Sequence, residues 1–169
     1  MIDLERIEAI SKFPFSATKK SMQSFLGKIN SVRRFVPSFF EIVRPLQNMI
    51  KKDSSFSWGD EEKKSFIRIR EAIAEAPALV SPDFRKDFIL YTFAFDISCA
   101  VVLTQKNQQE DEVPISFMSS NLKGVELNYH EVDKHAFVVF KAVKHFLPYL
   151  LKSKTKVIVP FSVVRNFLV

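Results

Sequence analysis

Ser24-Phe25-Leu26-Gly27-Lys28-Ile29-Asn30-Ser31-Val32-Arg33-Arg34-Phe35-Val36-Pro37 is the stretch on which the reading of the chain turns. At 100° per residue, Met22, Phe25, Leu26, Ile29 and Val32 share an arc of about 120°, the width of a helix face that packs on a core. Lys20, Gln23, Gly27, Asn30 and Arg34 form a second stripe, polar throughout, cationic at both ends, with glycine at its centre. Glycine inside a helix costs roughly 1 kcal/mol relative to alanine, so Gly27 asks for a reason. Two are available: tight packing against a neighbouring helix, or close approach of another backbone, protein or nucleic acid. Thr18 supplies an N-cap and Pro37 a stop, so the spacing predicts a helix from Thr18 to about Phe35.

Outward from this helix, the apolar run Phe39 to Ile50 is interrupted by Pro45, which predicts two short helices or a kink. Asp60 can cap a further helix through about Ala76, with Phe66, Ile69, Ala72, Ile73 and Ala76 at helical spacing. Ala76 to Asp83, rich in proline and serine, reads as a linker. Beyond it the period changes. Phe88–Asp96, Cys99–Gln105 and Val113–Met118 read as strands, with Asn107 to Asp111 as a polar turn. A long amphipathic helix follows from Tyr129 to about Leu147, then a β run over Lys156–Val159. The expected architecture is α/β (α+β): a helical segment over residues 1–80, then a mixed sheet with a packed long helix over residues 81–169.

The 169 residues, 47% hydrophobic and 26% charged, exclude a disordered or fibrous chain. No apolar run reaches the roughly 18–20 residues of a membrane span, and Met1-Ile2-Asp3-Leu4-Glu5 is not a signal-peptide start. The single cysteine, Cys99, excludes an internal disulfide and a thiolate zinc cage, and reads as a small buried hydrophobe. The three glycines are too scattered for a phosphate-cradling loop. An intracellular location, cytoplasmic or nuclear, is expected. The net charge of +6 is uneven. Between residues 12 and 52 the bases Lys12, Lys19, Lys20, Lys28, Arg33, Arg34, Arg44, Lys51 and Lys52 face one acid, Glu41. After the last acid, Asp133, come Lys134, Lys141, Lys144, Lys152, Lys154, Lys156 and Arg165. Such zones concentrate polyanions. His130, His135 and His145 do not converge at ligand spacing and read as surface side chains.

The segment 24–37 resembles the region that follows the palm in gypsy-type LTR-retrotransposon reverse transcriptases. The pattern there is S-F-L-G-x-x-N-x-x-R-R-F-x-P, and every fixed position matches. Phe56, Trp58, Phe66, Ile73, Pro77, Leu79, Pro82 and Asp83 match the next block. Leu103 and Gln105, Pro114-Ile115, and Glu126 with Asn128-Tyr129 match landmarks of the attached RNase H-like domain. The resemblance implies a thumb-like helical segment and an RNase H-like domain, with part of that domain lying beyond Val169. It also implies an upstream polymerase palm and a downstream nuclease or integrase as partners. The palm's metal-binding element has no counterpart, since the chain contains no Asp-Asp pair.

RNase H chemistry hydrolyses a phosphodiester with two metal ions, usually Mg²⁺, held by clustered carboxylates. The resemblance puts the family's carboxylate positions on Phe93, His135 and Pro160, none of which suits Mg²⁺. Phe93 is expected to fill the vacated metal position apolarly. Among neighbouring acids, Asp96 stands at an odd offset from Phe93, which in a regular strand points to the other sheet face. Glu131, one helical turn from His135, is the remaining substitute. No catalytic residue, metal ligand or cofactor is therefore expected. Plant elements of the Tat lineage are similar around Leu90-Tyr91-Thr92-Phe93-Ala94 and Ala136-Phe137-Val138-Val139. In them a degenerate first RNase H domain precedes an active one, which implies a connection module here. The expected partner is a template–primer duplex, RNA–DNA or DNA, tracked by Lys20, Gln23, Gly27, Asn30 and Arg34 and extended by Lys134, Lys141 and Lys144. The competing expectation is a residual nuclease using Glu131 and Asp96.

Overall fold

The computed structural model describes residues 4–52 and 54–160. The chain forms two units, Met1–Ala78 and Leu79–Val169. The first is helical: α1 (Leu4–Ser11), α2 (Lys19–Asn30), α3 (Phe39–Met49) and α4 (Asp60–Ala74). The second runs β1 (Phe88–Ala94), β2 (Ser98–Lys106), β3 (Glu112–Asn121), α5 (Glu131–Leu150) and β4 (Thr155–Ile158).

The start of α2 follows from Thr18, whose extended backbone lets its hydroxyl accept the Ser21 N–H at 3.2 Å. The apolar arc does what its spacing demands: Met22, Phe25, Ile29 and Val32 are all fully buried. Phe25 packs on Phe66 of α4 with ring centroids 4.8 Å apart. Phe66 also meets Phe15 and the indole of Trp58. The Trp58 N–H donates to the Ser16 carbonyl at 2.7 Å, pinning the segment before α4 to the segment before α2. Lys19 Nζ donates to the carbonyls of Lys51 and Ser54, tying the start of α2 to the segment that follows α3. The Ser65 hydroxyl donates to the Ile42 carbonyl, between α4 and α3.

Several boundaries differ from the sequence reading. Helix α2 stops at Asn30, because Ser31 turns its hydroxyl back onto the Lys28 carbonyl at 2.7 Å. Arg33–Phe35 is a separate 3-10 turn, so Arg34 does not sit on the α2 face. Pro45 lies inside a single helix, α3, rather than dividing two. It removes one N–H from the ladder, yet its ring is buried with Ile42, Val43 and Leu46, and that packing holds the helix together. Gly59, not Asp60, is the N-cap of α4, and the Glu62 carboxylate accepts the Gly59 N–H at 3.0 Å.

In the second unit the sheet order is β3-β2-β1-β4. The first three strands are antiparallel neighbours, and β4 lies parallel to β1. Phe88, Leu90, Cys99, Val101, Leu103 and Ile115 from the sheet form one core with Val138, Ala142 and Phe146 of α5. Ile115 is accommodated by a register shift opposite Leu103 and Thr104. The β2–β3 turn is closed by Asn107, whose side-chain oxygen accepts the N–H groups of Gln109 and Asp111. The buried Gln105 explains its place among the landmarks. Its amide accepts the Asp83 N–H at 2.9 Å and donates to the carbonyls of Asp83 and Lys86 at 2.8 and 3.2 Å. It clamps the turn that feeds β1. Within that turn, hydrogen bonds from the Arg85 side chain and backbone hold the Asp83 carboxyl down at about 2.

Candidate functional site

Two features bear on function. The first is the outward face of α2. Lys20, Gln23, Gly27 and Asn30 are all exposed, and so is Arg34 in the turn that follows. A Cβ built at Gly27 meets nothing within 4 Å. Glycine here serves no packing within the described residues, so tight helix–helix packing does not account for it. Around this face, the Lys28 ammonium lies over the Phe13 ring and the Arg34 guanidinium over Phe35.

The second feature is a cleft of about 290 Å³ beyond the end of β1, lined by Ala94, Phe95, Asp96, Glu131, Lys134 and His135. Strand β1 ends at Ala94, and a tight turn carries the Phe95 N–H onto the Ser98 carbonyl at 2.9 Å. Asp96 therefore sits in a turn, where the odd-offset rule for a strand does not apply. It lies on the same cleft as Glu131, a correction to the sequence reading. Of the three positions the resemblance singled out, only His135 lines the cleft. Phe93 is 42% exposed and fills no hole. Pro160 is exposed and is not among the lining residues.

His135 is 5% exposed, not a surface side chain. Burial lowers its pKa below the ordinary histidine value, and the nearby Glu131 carboxylate partly opposes that shift. Lys134 is half-buried, and its Nζ donates to the Asp96 carbonyl at 3.1 Å. Lys141 is held similarly, by the Asn121 carbonyl at 3.5 Å and the Glu126 carboxylate at 3.7 Å. Lys134 and Lys141 are thus bound within the second unit, whereas Lys144 is exposed. Among the described residues no group of three or more His, Cys, Asp and Glu side chains is arranged to hold a metal ion. None of the described helices is long and apolar enough to cross a membrane.

Against known proteins, residues 58–157 match the RNase H-like domain found in reverse transcriptase, and the chain belongs to that family. The transposon Tf2-3 and Tf2-4 polyproteins of Schizosaccharomyces pombe are each 29% identical over 162 residues, 96% of this chain. The chain spans 12% of the length of either polyprotein. A foamy viral protease-reverse transcriptase solved in complex with double-stranded DNA superimposes with a TM-score of 0.82 at 23% identity. That match covers 98% of this chain and 29% of the viral chain. The same type of enzyme in complex with an RNA/DNA hybrid gives 0.76 at 24% identity, over 92% and 21% of the two chains. The similarity to the Tf2 polyproteins agrees with the resemblance carried by residues 24–37.

Proposed function

We propose that this segment holds a template–primer duplex without hydrolysing it, as a connection module between a polymerase palm upstream and a nuclease or integrase downstream. The exposed stripe of α2 lies against the sugar–phosphate backbone, with Lys20 near one end and Arg34 just beyond the other. The observation that carries this reading is Gly27: exposed, mid-stripe, with open space where a side chain would stand. A helix gives up about 1 kcal/mol to keep a glycine there, and close approach of a partner backbone is what the missing side chain permits. Contacts of this kind fix the position of a duplex and read little sequence. The foamy viral relatives were solved with double-stranded DNA and with an RNA/DNA hybrid, which supports the ligand class.

The non-hydrolytic half of the reading rests on donor chemistry. Two-metal hydrolysis needs several carboxylates converging on two hard cations. The cleft offers Asp96 and Glu131, a buried imidazole and an ammonium group. That set does not fit the pair of Mg²⁺ ions used by the active members of the family.

Fluorescence anisotropy with a labelled duplex, titrated across salt, tests the interface. Each phosphate neutralised contributes a slope of about −0.9 in log K against log salt. Lys20→Glu with Arg34→Glu lowers affinity and makes the slope shallower by about two. An unchanged slope refutes the interface. The rival reading, a residual nuclease, draws support from Asp96 and Glu131 sharing one cleft. Incubation of an RNA–DNA hybrid with Mg²⁺ or Mn²⁺ separates the two: cleavage that disappears in Glu131→Gln overturns the non-hydrolytic reading.

A further inference from the structure

We propose that the outward face of α5 is a homodimer interface, against which the α5 of a second copy of this chain packs antiparallel across a two-fold axis. The inference stands apart from the duplex reading and from the question of hydrolysis.

One side of α5 is accounted for by the core, where Val138, Val139, Ala142 and Phe146 are buried. At 100° per residue, Asp133, Phe137, Phe140 and Lys144 share an arc of about 60° on the opposite side. That side is expected to be polar, because it turns away from the core. Instead Phe140 is 62% exposed, and Leu147 and Leu151 further along the helix are exposed too. A helix that is apolar on both sides is one that a partner covers. Phe137 and Phe140 form a single aromatic slab, with ring centroids 6.3 Å apart and planes 30° from parallel. Asp133 and Lys144 are also exposed. Neither has a Lys, Arg, Asp or Glu of opposite sign three or four residues away with which to pair along the helix.

The spacing of these four residues identifies the occupant. Asp133 and Lys144 stand equally far from the midpoint between Val138 and Val139, and so do Phe137 and Phe140. The stripe reads acid, ring, ring, base, and its reverse is its own complement. An antiparallel copy centred on that midpoint sets Asp133 against Lys144 of the partner subunit. It sets Phe137 against Phe140 of the partner subunit, and the two-fold axis repeats both contacts. Rings then fill the centre and ion pairs the rim, the usual anatomy of an interface. The helix dipoles oppose one another, which favours the same orientation. A parallel copy would set like charges together. A nucleic-acid backbone would match Lys144 and meet the Asp133 carboxylate on the same stripe.

Sedimentation equilibrium of the full chain, from about 1 to 200 µM, spans the range suited to a small interface. Wild type should pass from monomer to dimer across it. Phe140→Ala, at an exposed position, should weaken the dimer at least about tenfold. Asp133→Lys alone, or Lys144→Asp alone, should weaken it about tenfold, since the axis doubles each like-charge contact. The two together should return to within about threefold of wild type, a rescue that antiparallel pairing alone allows. If a charge-reversed variant does not fold, judged by its melt, wild type and Phe140→Ala decide the matter. The proposal is overturned if wild type stays monomeric at the highest concentration, if Phe140→Ala associates as wild type does, or if the paired reversal does not rescue. A monomeric wild type whose duplex affinity falls in Phe140→Ala would assign the stripe to nucleic acid instead, which also overturns it.

Discussion

Replacing Gly27 by alanine should strengthen the first unit, while a larger side chain at the same place weakens its grip on a duplex. The added methyl meets nothing within 4 Å, so no strain opposes it. The backbone at Gly27 is not in the left-handed region, so alanine adopts it without penalty. Gly27 lies in the C-terminal part of a twelve-residue helix, so the gain is about 0.5–1 kcal/mol. For a unit of this size that raises the melting temperature by roughly 2–8 °C. In urea, with a slope of about 1–2 kcal/mol/M, the midpoint rises by roughly 0.3–1 M. Trp58 is the chain's one tryptophan, packed against Phe15 and Phe66 in the first unit. Its fluorescence therefore follows that unit selectively. The second half of the experiment is duplex affinity: Gly27→Leu, equally free of internal clashes at its Cβ, should bind at least about tenfold more weakly by holding a backbone off the helix. Destabilisation by alanine would refute the claim that the space is open. Undiminished affinity in Gly27→Leu would refute the claim that this face is the interface.

Two further outcomes concern the second unit. Gln105→Ala removes three hydrogen bonds to the 83–86 turn and leaves buried or half-buried backbone groups without them. It should destabilise the unit by about 2–3 kcal/mol and speed hydrogen exchange at the Asp83 amide. Burial lowers the His135 pKa in the folded chain, with Glu131 partly opposing, so the unfolded chain takes up a proton more readily than the folded chain. Its stabilising contribution is complete above the unfolded value of about 6.5 and falls as pH drops below it. His135→Phe should flatten the stability profile between about pH 7 and 5, and an unaltered profile would show that His135 does not carry that dependence.

What could be read from residues alone follows local physics. The arc of Met22, Phe25, Ile29 and Val32 was legible because helical spacing determines which side chains share a face. The Thr18 cap was legible because its hydroxyl needs only a neighbour three residues on. The end of α2 was not, because it depends on the Ser31 hydroxyl choosing the Lys28 carbonyl over solvent. Of the two outcomes expected at Pro45, the division into two helices does not occur, because burial among α3 neighbours outweighs a missing N–H. In the cleft, Glu131 beside His135 was legible from one turn of helix. The approach of Asp96 was not, because it requires knowing that β1 ends at Ala94. The reach of Lys134 to the Asp96 carbonyl and the triple grip of Gln105 join residues far apart in sequence, and no periodicity encodes them.

The packing of α4 has a practical corollary. The family match begins at Trp58, which invites anyone isolating the RNase H-like part to start the gene fragment there. Yet Phe66, Ile69 and Ile73 of α4 are entirely buried in the first unit, and the chain divides only at Ala78 and Leu79. A fragment begun at Trp58 would carry an orphaned greasy helix, a recipe for inclusion bodies, whereas scissors placed after Ala78 leave α4 with the companions that shield it.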